Sequence, residues 1–176
     1  MRTKIYIILF IVFLIIYFLE ANFFSWFNLA GINPNLFIIF VLFIGLFAGR
    51  KTGLTFGILI GICIDLFIGR RLGVTSVMLG IIGMLGGYFD KSFSKDSRMT
   101  MMLMVILSTI IYEVGVYVIN TFINSSEFEI IVFAKILIIE TLYNVILTII
   151  LYPIFQSLGY RMEEKFKGSK ILTRYF

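Results

Sequence analysis

The chain has 176 residues, 60% hydrophobic and 14% charged, with a formal net charge of +5. A soluble domain is nearer half apolar and about a quarter charged, so this composition leaves too little polar surface to coat a core in water. The absence of histidine and the single cysteine, Cys63, exclude imidazole catalysis, His-ligated metal and an intrachain disulfide, and in so apolar a chain the basic excess points to topology and anionic lipid, not nucleic acid.

Six apolar blocks follow one another, and together they predict an all-α integral membrane protein with a single transmembrane domain over residues 1–176. The approximate spans are 5–24, 34–49, 53–69, 72–89, 99–123 and 130–155, with a basic tail over 156–176. None alternates apolar and polar residues with period two, which argues against a barrel. The first block begins after Arg2 and Lys4 like a signal peptide. No small-residue cleavage site follows it, only Glu20, Ala21, Asn22 and Phe23, so an uncleaved first helix is expected. Between the first two spans, Phe23, Phe24, Trp26 and Phe27 suit a segment at the membrane interface, punctuated by Gly31 and Pro34. The second span is short for a membrane crossing, which takes about 20 residues.

The third span, "GLTFGILIGICIDLFIG", places Gly53, Gly57, Gly61 and Gly69 at steps of four, with Asp65 on the same track. In the fourth, Gly73, Gly80, Gly83 and Gly87 share a face at spacings of seven, three and four. Lipid gives helices no hydrophobic drive to associate, and small residues let backbones come close enough to gain dispersion contacts. These eight glycines are read as helix-packing residues within one subunit. A homodimer or partner groove is the alternative use. Because steps of four drift by about 40° against the helical period, the track is expected to wind, as a ridge does where two helices cross in the right-handed sense or where one helix meets two neighbours. Asp65 lies about 6 Å inside the outer end of its helix, and Lys135 enters the sixth span at a similar depth. A charge in hydrocarbon usually pairs. Asp65 with Lys135 is the expected pair, and Asp65 with Arg70 or Arg71 the local alternative.

In the last two spans, Glu113, Tyr117 and Asn120 share one face, and Glu140, Asn144 and Thr148 share another. The fifth and sixth helices should meet along these stripes, either through interhelical hydrogen bonds with protonated acids or around a pocket or partner contact. No nucleophile elbow, metal-ligand set or phosphate loop accompanies them, so neither catalysis nor a cofactor is expected. Orientation follows from the cations. With the N-terminus inside, Arg2, Lys4, Arg50, Lys51, Lys91, Lys95, Arg98, Arg161, Lys165, Lys167, Lys170 and Arg174 are cytoplasmic, against only Arg70 and Arg71 outside. Both termini are therefore expected in the cytoplasm.

The stretch "GILIGICIDLFIGRRLGVTSVMLGIIGMLGGYF" resembles the MreD family of bacterial inner-membrane proteins, through Gly57, Gly61, Asp65, Leu72 and Gly73. "INPNLFIIFVLFIGLFAGRKTG", "IYEVGVYVI" with Glu113, and "LYPIFQSL" with Pro153 are similar to family segments, so the resemblance covers about residues 33–167. Arg70 and Arg71 depart from the uncharged turn of the family. The resemblance implies a non-enzymatic component of the cell-wall elongation complex (the elongasome). It would bind MreC, and through MreC act with MreB filaments and peptidoglycan synthases to set rod shape. It also implies a fold similar to the substrate-binding subunits of energy-coupling-factor transporters, six helices around an outward pocket. Such a transporter subunit is the alternative function. It would use small residues on the first helix to dock its partner, and Ile5–Leu19 contains no Gly, Ala or Ser.

Overall fold

A computed structural model describes residues 2–68, 73–92, 97–124 and 128–166. Among them the chain forms six principal helices and no strand: α1 (Arg2–Phe18), α2 (Leu36–Ala48), α3 (Arg50–Ile68), α4 (Val74–Ser92), α5 (Arg98–Asn124) and α6 (Ile130–Phe166). A π-helical turn, Leu19–Phe23, and a last turn, Phe24–Trp26, prolong α1. The aromatic segment after the first span is thus helical up to Trp26, with Phe24 buried and Trp26 88% exposed.

Among the described residues three helices are long and apolar enough to cross a membrane: Lys4–Trp26, α5 and α6. The others are shorter, and the geometry shows why they can be. All 13 residues of α2 are buried. At about 1.5 Å per residue, α2 covers roughly 20 Å of the bilayer core's roughly 30 Å. Its neighbours are α3, α4, α5 and α6, so it needs no polar face and shows none. The stretch before it, Gly31–Asn35, is irregular and lines a cavity, which is the setting in which non-helical backbone is tolerated at membrane depth.

The tightest pair is the antiparallel hairpin α3–α4. Its turn needs Gly73, whose φ of +106° is disfavoured for residues with a Cβ. The α2–α3 reversal similarly needs Gly49, at φ +93°. Helices α5 and α6 form a second hairpin, joined by Tyr117 stacked on Phe133 at 4.2 Å between ring centroids. By contrast, α1 is peripheral. Among its described side chains only Ile5, Leu9, Phe13 and Ile16 are buried, one stripe at helical spacing, and Phe13 meets Phe37 of α2.

One end of the bundle collects most of the described basic residues, Lys135 excepted. There Arg50 stacks over Tyr88 at 4.2 Å, Arg98 lies over Tyr152 at 5.8 Å, and the rings of Tyr6 and Phe166 touch. Helix α6 runs on through Pro153 to Phe166, into the part of the sequence expected to be a tail, and Gly159 packs there against the Phe47 ring.

Candidate functional site

Every glycine of the α3 track that the structure describes faces α4. A Cβ on Gly53 would lie 2.8 Å from the Gly83 carbonyl carbon, one on Gly57 2.7 Å from that of Leu79, and one on Gly61 2.7 Å from Ser76 N. Each advance of four residues along α3 is matched by about four back along α4. From Gly53 to Gly61 the ridge therefore follows one helix, as where two helices pack ridge on ridge, and a second neighbour enters only at the Gly53 end. Gly53 also touches Gly45 of α2, where three helices meet. Gly83 and Gly87 complete the contact from the α4 side, Gly87 against the Arg50 backbone. Gly80 lies with its Cα against Gly57, but a Cβ on it would meet the Ile58 and Leu54 side chains, a softer neighbour. Among the described residues no atom would lie within 4 Å of a Cβ on Gly73, whose positive φ serves the turn. Gly69, Arg70 and Arg71 lie outside the described residues. Gly86, missing from the expected set, packs on α2 against Leu46 N and Gly45 Cα, and only the position of α2 could have marked it.

The register also places Asp65. One step beyond Gly61, it is 1% exposed, and its Oδ2 accepts the Gly73 amide at 2.8 Å. The carboxylate thus caps the start of α4, where exposed amides and the helix dipole favour negative charge. The expected Asp65–Lys135 ion pair is not formed. Lys135 is exposed on α6, which packs on α5 and α2, whereas α3 packs on α4 and α2. Similar depth in the sequence did not mean adjacency, because α2 stands between the two helices.

At the opposite end from the basic cluster, a cavity of about 600 Å³ opens among α1, the segment before α2, α4, α5 and α6. Glu20, Glu113 and Glu140 line it with Asn35, Thr75 and Tyr112. Glu20 Oε1 accepts the Leu36 amide at 2.6 Å. Asn144, fully buried, accepts the Asn35 amide at 2.8 Å and donates to Thr109 Oγ1 at 3.1 Å. The orphan amides at the start of α2 are thereby met by side chains from α1 and α6, with Asn35 Oδ1 reaching Ile38 N at 3.4 Å. Thr148 bonds back to the Asn144 carbonyl within α6, and Tyr117 lies in the α5–α6 stack. Asn120 is half-buried near the tip of α5. Of the two polar stripes, Glu113 and Glu140 come together at the cavity. One bond that joins α5 to α6 runs from Asn144 to Thr109, a residue outside the expected stripe. Glu20 went unremarked as a site residue because its partner is a backbone amide 16 residues away.

These features define the class: an all-helical bundle built for a membrane, with a glycine-packed core and an acidic cavity at one end. The chain belongs to the MreD family, since the family described as rod shape-determining protein MreD matches it over residues 1–162. No curated protein and no solved structure matches it.

Proposed function

We propose that the chain is a multi-pass protein of the bacterial cytoplasmic membrane, with both termini in the cytoplasm. It acts as a non-enzymatic member of the cell-wall elongation complex, binding MreC and linking MreB to peptidoglycan synthesis. Membership of the MreD family carries this reading. The clustering of Arg50, Arg98 and the Tyr6–Phe166 contact at one end supports the orientation, since cytoplasmic ends gather Lys and Arg. Depletion of the protein in its own bacterium should turn rods into spheres and scatter new wall synthesis around the cell. Rods of unchanged width after complete depletion would contradict the proposal. One observation favours the transporter-subunit reading as a second possibility: the 600 Å³ cavity is within the size range of small-molecule sites. Stable co-purification with a transport ATPase instead of MreC would support that reading.

A further inference from the structure

A second cavity, independent of the acidic one, lies between α1 and α3. It is a groove of about 560 Å³, lined on α1 by Tyr6, Leu9, Phe10 and Phe13 and on α3 by residues from Lys51 to Cys63. The two helices touch through rings at two levels, Tyr6 on Phe56 and Tyr17 on Phe67, at 5.9 and 5.5 Å between centroids. They are held apart because α1 brings only bulky side chains to this side, whereas α3 turns its glycines toward α4.

The groove is polar at one end only. Lys51, Thr52 and Thr55 stand at the basic end of the bundle, and Leu59, Ile60 and Cys63 make the other end apolar. The Thr55 hydroxyl is satisfied within its own helix by the Lys51 and Thr52 carbonyls. Lys51 is exposed and makes no ion pair among the described residues. From Lys51 to Cys63 is 12 residues, or about 18 Å of helix, close to the roughly 15 Å of one leaflet's hydrocarbon. That length, with its single polar end, matches an acyl chain running from a headgroup into one leaflet.

We propose that this groove is a binding site for an anionic phospholipid of the leaflet at the basic end. One acyl chain lies between α1 and α3, and Lys51 meets the phosphate. A cation near a membrane surface contributes about 1 kcal/mol toward anionic lipid, which is about fivefold in affinity.

The test uses the full chain, purified in mild detergent, stripped of lipid, and titrated with phosphatidylglycerol or phosphatidylcholine under native mass spectrometry. One phosphatidylglycerol should bind per chain, at least fivefold tighter than phosphatidylcholine. Lys51→Gln should remove that preference, while Arg161→Gln, at the same end but off the groove, should keep it. Cys63→Trp should weaken both lipids by filling the apolar end. Circular dichroism and elution volume identify any variant that fails to fold. Equal affinity for the two lipids in the wild type, or an unchanged preference in folded Lys51→Gln, would overturn the site. So would cross-linking of Cys63 to a partner's transmembrane helix in the assembled complex.

Discussion

Asp65 and Asn144 each spend a buried side chain on the start of another helix. Asp65 caps α4 through Gly73, and Asn144 caps α2 through Asn35 while holding Thr109. Loss of a cap costs about 0.5–2 kcal/mol. Asp65→Ala should therefore lose about 1–2 kcal/mol in denaturant titration of the micelle-bound protein, and Asp65→Asn less, since an amide oxygen still accepts. Wild-type stability in Asp65→Ala would show that the cap is idle. The charge swap Asp65→Lys with Lys135→Asp should restore nothing over the single changes, because the two residues do not meet. Asn144→Leu should cost about 1–2 kcal/mol, as it strands the Asn35 amide and the Thr109 hydroxyl. The sequence placed these polar groups correctly at buried positions. It did not disclose their partners, because a backbone amide carries no signature in the residue types around it.

At the scale of the helix, the α3–α4 hairpin rests on backbone approaching backbone. A methyl group at Gly57 or Gly61 meets main-chain atoms that cannot rotate away, whereas at Gly80 it meets the flexible Ile58 side chain. Overpacking typically costs 1–3 kcal/mol. Gly57→Ala and Gly61→Ala should lose at least that much, and Gly80→Ala clearly less. Leu59→Ala, on an exposed side chain, should change stability little. Comparable thermal stability for Gly61→Ala and the wild type in detergent would dismiss the close contact. The four-residue spacing made this ridge legible from the sequence. The wholly buried α2 was harder to read, because a short apolar run looks alike whether it meets lipid or protein. The sixth span was expected to run through Pro153, which membrane helices tolerate where neighbours make good the lost bond, but its continuation to Phe166 was not, because the polar and basic residues after 155 read as a tail.

Across the whole molecule the two ends differ in chemistry, one basic and ringed by aromatics, the other acidic and hollow. With Cys63 replaced by serine, single cysteines at Lys165 and Glu129 should label from opposite sides of the membrane, Lys165 from the cytoplasm. Labelling of both from one side would contradict the proposed topology. The six apolar blocks made the six-helix plan readable in advance, and the acidic stripes pointed to a pocket, but its walls from Glu20 and Gly31–Asn35 were not legible, since they arise where α2 starts late and that segment stays irregular. The proposed role places the chain's activity in association within the membrane, and co-purification with MreC tests that most directly. Tagged protein extracted from its own cells in mild detergent should retain MreC in stoichiometric amount, and Gly57→Leu should retain less at equal bait yield. MreC no more abundant than in an untagged control, with the bait folded, would contradict the account.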